Sequence, residues 1–344
     1  MIKHKICKIL LVILAIFLCV AFYELLGICV AYKKQPEVSN TTKKETKNGS
    51  WNECSENTER AVIIEKNPEA LLQRVRLIKN AKKEIILSTF AFQSDESGKL
   101  ILGALHDAAD RGVHVRLLVD GMESWIDMEG IPYFYGLSSH ENVEIKLYNK
   151  ANPLKPWKMM GRMHDKYLIA DGKTYILGGR NTYNYFLGDF LGHKNYDRDV
   201  LVVCDEPEKE NSVNQLSEYF ETIWEQEDSG YFHDNKKLAN RKSVKNAVLE
   251  LQNGYQKYFE ENKERICDTD YTDETFETEK IALVSNPIHT GPKEPVVWYQ
   301  LGELMKNAKE RVKIHTPYII CNDMMYNTWK EINKQLEEGM MEYE

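Results

Sequence analysis

The sequence predicts an α/β protein with a mixed, largely parallel sheet flanked by helices, the start of a second similar half, and one amino-terminal transmembrane helix. Three observations carry this. From residue 62 onward, apolar residues alternate between helical and strand spacing. The pair Asp171-Gly172 stands as a hairpin signal between two short apolar runs. Ile9–Phe22 is continuously apolar and the character resumes at Leu25–Tyr32, together the length and character of a bilayer span.

The alternation is clearest in the first part of the fold. Pro68–Ala81 has Leu71, Leu72, Val75 and Ile78 at helical spacing, and Ile85–Phe92 reads as a buried strand. Leu100–Arg111 is a second helix stopped by Gly112, followed by the strand Val113–Val119. Helix, strand, helix, strand at these lengths predicts parallel strands covered by helices. Ligands then sit beyond the carboxyl ends of strands. Asp95 and Asp120 follow two such strands, as borders of a cleft or as turn and cap residues.

Residues 122–160 are less regular, apart from a strand at Val143–Tyr148. Trp125, Tyr133, Phe134, Tyr135, Trp157, Met159 and Met160 make this region apolar, either as the wall of a lipid site or as core packing. Next comes Gly161–Phe186. His164 and Lys166, two apart in an extended run, present an imidazole and an ammonium to one side, while Tyr167 and Ile169 point to the other. Thr174–Leu177 returns. Gly178-Gly179-Arg180-Asn181 is a tight loop able to bring backbone N–H groups and an amide beside an anion. One nucleophile, one fixed cation and several neutral donors suit phosphoryl chemistry.

Asp197-Arg198-Asp199 leads into the buried strand Val200–Cys204. The helix Val213–Glu225, a polar excursion at residues 226–243 and the helix Val244–Glu264 follow. The acidic stretch 266–280 reads as a linker. A second cycle begins with a strand at Ile281–Ser285, a helix at Val296–Ala308, a strand at Val312–Ile320 and a helix at Met325–Glu338. Asn307–Arg311 echoes Asn80–Glu84, as an internal duplication would. The predicted organisation is thus an anchor at 1–34, a polar stalk at 35–60, a first domain at 61–265, the linker, and an incomplete second half at 281–344.

The bulk properties narrow the function. The chain has 344 residues, 42% hydrophobic and 28% charged, enough for a sizeable core, and a formal charge of −8 that speaks against nucleic acid as partner. Seven cysteines occur without a CxxC pair, so no structural zinc site is predicted. Cys54, Cys204, Cys267 and Cys321 are compatible with two disulfides or with four separate thiols. Lys3, Lys5 and Lys8 precede the apolar run and Lys33 and Lys34 follow it. A membrane anchor fits better than a cleaved signal peptide, because no small-residue cleavage site ends the run. The soluble part is placed, by preference, outside the cytoplasm.

His164, Lys166 and Asp171, with Gly178-Gly179 and Asn181 after them, resemble the HKD signature of the phospholipase D superfamily. Asn152-Pro153, Arg162 and Tyr185-Phe186 add a similarity to bacterial cardiolipin synthases. The resemblance implies a phosphohistidine reaction without metal or other cofactor. His164 would be the nucleophile, Lys166 with Asn181 and Gly179 would bind phosphate, Asp171 would support the motif, and Asp95, Asp120 and Arg162 would border the cleft. It further implies a phospholipid membrane as partner and phosphatidylglycerol or a related lipid as substrate. Family members join two halves, each giving one motif, whereas the repeat here stops before its own. A fragment is the expectation, ahead of a homodimer, and the chain alone is expected to be weak or inactive. The alternatives are a phosphodiesterase acting on nucleic acid and a non-catalytic lipid-binding module.

Overall fold

The computed structural model describes residues 2–49, 59–207, 209, 211–233, 235–314, 316 and 319–337. In chain order the elements are α1 (Ile2–Ala31), α2 (Asn40–Asn48), β1 (Glu59–Ile64), α3 (Asn67–Asn80), β2 (Glu84–Thr89), α4 (Glu96–Asp110) and β3 (His114–Asp120). Then come α5 (Gly121–Asp127), α6 (Pro132–Ser138), β4 (Val143–Tyr148), β5 (Tyr167–Ala170), β6 (Thr174–Gly178) and β7 (Asp199–Cys204). The remainder is α7 (Ser212–Trp224), β8 (Ser229–Tyr231), α8 (Lys242–Glu261), α9 (Lys263–Cys267), β9 (Phe276–Glu277), α10 (Val296–Lys306) and α11 (Asp323–Glu337).

The strands form one sheet in the order β8-β4-β3-β2-β5-β6-β7-β1-β9. Only β2–β3 and β3–β4 are parallel. The pairings β1–β7, β1–β9, β2–β5, β4–β8, β5–β6 and β6–β7 are antiparallel. The sheet is therefore mixed and mostly antiparallel, which corrects the expectation of a largely parallel one. The reason is local. Crossover helices separate β2, β3 and β4, as parallel neighbours require, whereas Asp171-Gly172 closes β5 onto β6 as a hairpin. Asp171 and Gly172 both take positive φ, 55° and 61°, a backbone that Asp and Gly tolerate in such turns.

The strands expected at the start of a second half are also corrected. Ile281–Ser285 and the described residues of 312–320 belong to no named strand. Ile281, Leu283 and Ile288 instead pack as loop residues against the cluster beneath α7, and Gln215 Oε1 accepts the Leu283 N–H. The helices of this region do form: α10 and α11 meet through Trp298 and Trp329, with ring centroids 5.8 Å apart. Residues 40–48, expected within a flexible stalk, form a capped helix whose Thr42 hydroxyl donates to Glu294 at 2.6 Å. Residues 50–58 lie outside the described residues.

Apolar clusters cover both faces of the sheet. One involves α3, α4, α6 and α8, and the other α7. In β5, Leu168 and Ala170 enter the first cluster, Tyr167 and Ile169 the second. That alternation fixes the register, since a slip of one residue would exchange the two sets. Phe134 and Tyr135 are core, and Cys204 is buried on β7.

Candidate active site

The site gathers at the end of the sheet where β2 finishes and β5 begins. Phe90, just past β2, is its pivot. Its ring meets the His164 imidazole edge-on at 4.6 Å, and the Arg162 guanidinium and Lys166 ammonium lie 5.1 and 5.4 Å from its centroid. His164 itself is exposed, whereas Lys166 is buried at 6% of its possible exposure. The Lys166 ammonium donates to the His164 carbonyl at 2.6 Å, which leaves it two protons for another acceptor.

Charge and burial tune both groups. Desolvation lowers the Lys166 pKa to about 8, with Asp165 and Asp197 acting in the opposite direction. The His164 pKa is also lowered, first by desolvation and then by Lys166 and Arg162, against Asp165 and Asp120. The imidazole is thereby held neutral, as a nucleophile requires, beside an ammonium still charged at neutral pH.

Arg162 reaches the site through Asp120. The buried Asp120 carboxylate accepts from Arg162 Nε at 2.9 Å and Nη2 at 2.6 Å, and from the Met163 N–H at 3.1 Å. It also caps α5 through the N–H groups of Met122 and Glu123. Asp120 is thus both a helix cap and the residue that aims Arg162. Asp95 only caps. It accepts from Gly98 N–H and Asn184 N–H, at 3.0 and 2.7 Å, tying α4 to the loop after Asn181.

The glycine loop is stapled to the end of β2. Asn181 Oδ1 accepts the Ala91 N–H at 3.2 Å, and backbone bonds join Thr182 to Ala91 and Gln93. A Cβ on Gly179 would run into the Asp197 carboxylate, and one on Gly178 into Asp199, so close approach explains both glycines. Arg180, between the glycines and Asn181, turns inward. It is fully buried, pairs with Asp199 at 3.2 Å, and donates to the carbonyls of Ile64, Glu65 and Asp197. Arg74 binds the same Asp199 oxygen, Oδ2, at 2.9 Å.

Asp171 lies at the opposite end of β5. Its carboxylate accepts the N–H groups of Lys82, Lys83 and Glu84 at 2.8, 2.7 and 3.0 Å, pinning the hairpin to the start of β2. The structure thus brings His164, Lys166, Arg162 and Asp120 together, places Asn181 and Gly179 on the adjoining loop, and sets Asp171 and Asp95 apart.

Several residues at the site went unread in the sequence. Phe90 belongs to the apolar run Ile85–Phe92, whose pattern is that of a buried strand. Asp165 accepts the Tyr219 hydroxyl at 2.7 Å, and its signal was its place between His164 and Lys166. Asp197 was read only as the lead into a strand. Lys293, its pKa lowered by burial, donates to the Arg162 carbonyl at 3.4 Å from a loop that follows 131 positions later, which no local pattern foretells.

With this geometry in hand, comparison with known proteins is informative. Residues 74–224 match the family described as cardiolipin synthase, PLD-like domain. The chain carries a phospholipase D-like domain of the HKD type. That domain is related to those of bacterial cardiolipin synthases. An uncharacterized protein of Helicobacter pylori is 29% identical over 311 residues, 82% of this chain and 58% of its own length. Cardiolipin synthase C of Escherichia coli is 29% identical over 171 residues, 46% of this chain and 34% of its own. Cardiolipin synthase 1 of Staphylococcus aureus is 36% identical over 129 residues, 37% of this chain and 25% of its own. The chain thus spans little more than half the length of the first of these relatives.

Proposed function

We propose that the protein is a membrane-anchored phosphatidyltransferase or phospholipase acting on anionic glycerophospholipids such as phosphatidylglycerol. The observation that carries this reading is an exposed, neutral-leaning imidazole at His164 directly beside the buried ammonium of Lys166. An imidazole nitrogen of His164 attacks phosphorus, a P–N bond forms, and the P–O bond to the leaving glycerol breaks. Lys166 holds the nonbridging oxygens as charge grows on them, and the Gly179–Asn181 loop lies where it can add neutral donors. Arg162, steadied by Asp120, adds positive charge to the approach of a lipid phosphate.

The leaving alkoxide needs a proton, and the acceptor alcohol or water must later lose one. In this reading a second half-site does both, from the same protein or from a second copy. Without it the rate falls by about 10²–10⁴.

The test is to give the purified, reconstituted protein phosphatidylglycerol and measure cardiolipin and glycerol. After an acid-free quench, phosphorus should be found on His164. Turnover that persists in His164→Ala, or phosphorus trapped on another residue, overturns the reading.

A further inference from the structure

The membrane helix is packed onto the segment that leads into the site. The Tyr23 hydroxyl donates to the Leu154 carbonyl at 3.1 Å, and Gly27 lies so close to Pro156 that a Cβ there would collide with its ring. Farther along, the Tyr32 hydroxyl donates to Thr290 at 2.7 Å, on the loop that covers Gly161. α1 is apolar over Lys5–Ala31 and long enough to cross a bilayer. Counting the roughly 20 residues of a hydrocarbon crossing from Ile6 brings its far edge to about Leu25, beside Glu24. Leu154, held against Tyr23, is then at the depth where acyl chains meet headgroups.

Leu154, Trp157 and Met160 are 77%, 46% and 55% exposed, and Lys155 between them is exposed as well. Large apolar side chains with an aromatic ring and an adjacent lysine are what interfacial anchors consist of. The aromatic region at residues 122–160 therefore divides: Phe134 and Tyr135 are core, whereas these side chains keep about half or more of their surface uncovered.

We infer that Leu154, Trp157 and Met160 insert into the acyl–headgroup boundary of the bilayer that α1 crosses, with Lys155 toward the anionic phosphates. Met160 precedes His164 by four residues, at most about 14 Å of extended chain, so the insertion sets the imidazole at the level of lipid phosphates. The inference stands on α1 crossing the membrane and not on the transfer reaction proposed above. It would survive that reaction's failure.

The test uses the full chain in nanodiscs of mixed phosphatidylglycerol and phosphatidylcholine, with bromine on the acyl chains as a contact quencher of tryptophan fluorescence. Trp157→Phe is conservative and its site is solvent-facing in the protein, so folding is not at stake. The expected result is that W157F loses part of the bromine-dependent quenching and keeps the iodide quenching of the parent. Bromine quenching equal to the parent's, or a loss of iodide quenching instead, puts Trp157 in water and overturns the inference.

Discussion

The two ends of β5, a strand of four residues, treat ionisable groups in opposite ways. At its far end the Asp171 carboxylate is saturated by three backbone N–H groups and holds a turn in place. At its near end His164 is exposed, and Lys166 is buried with a single backbone acceptor among its hydrogen bonds. A group whose bonding capacity is filled by the fold serves the fold; one kept unsatisfied at the cost of desolvation is available to a ligand. In the proposed reaction, residues that stand together as one motif in the sequence thus divide into an architectural part and a chemical part.

The largest effect should come from the chemical end. His164→Ala is expected to reduce turnover on the order of 10⁴-fold or more while leaving the denaturation midpoint where it was, because the side chain is exposed. A comparable loss of stability, read from urea unfolding of the same preparation, would break the division.

Not everything near the chemistry is chemical. Asp199 sits at the same end as His164, but its carboxylate is enclosed between Arg74 and Arg180. Asp199→Ala leaves two buried guanidinium groups without their counterion and should cost about 3–5 kcal/mol in unfolding free energy. A variant as stable as the parent would show that the triad is solvated and that the loop carrying Gly179 is not built upon it.

Asp171→Ala tests the other end. It removes one charged acceptor from three N–H groups that remain partly open to water, an expected loss of about 1–3 kcal/mol. The specific activity of the fraction still folded should not change. If activity fell a hundredfold at constant stability, Asp171 would belong with the chemistry and the contrast between the ends would fail.

This division explains what the sequence discloses and what it hides. The segment from Tyr167 to Gly178, the buried strands β2, β3 and β4 and the helices α3, α4 and α7 are written in local periodicity and turn chemistry, and they are legible. The sheet's antiparallel majority is not, because β1 pairs with β7 across some 140 residues that carry no sign of it. The same limit hid Asp197 and Lys293. Arg180 misleads in another way: its place in a glycine loop suggests an anion site, whereas its guanidinium is used up by Asp199 and three carbonyls. At Asp120 the cap reading describes part of what the carboxylate does, and its ion pair with Arg162 is the part no local pattern foretells.

The smallest predicted effect concerns pH and probes the tuning of the near end. In the proposed reaction His164 must be neutral to attack, and partial desolvation with nearby cations lowers its pKa, so the acid limb of kcat/KM should lie below the ordinary histidine value. Lys166 must be charged to hold phosphate oxygens, and desolvation brings its pKa down to about 8. The rate should therefore fall as pH rises through that value, by about tenfold per unit at the alkaline extreme. Lys166→Arg supplies a cation that does not titrate in this range and should flatten the alkaline limb while lowering the maximum, since a planar fork does not reproduce a compact ammonium. An alkaline limb that persists unchanged in K166R would assign it to another group, and Lys166 would then be as structural as Asp171.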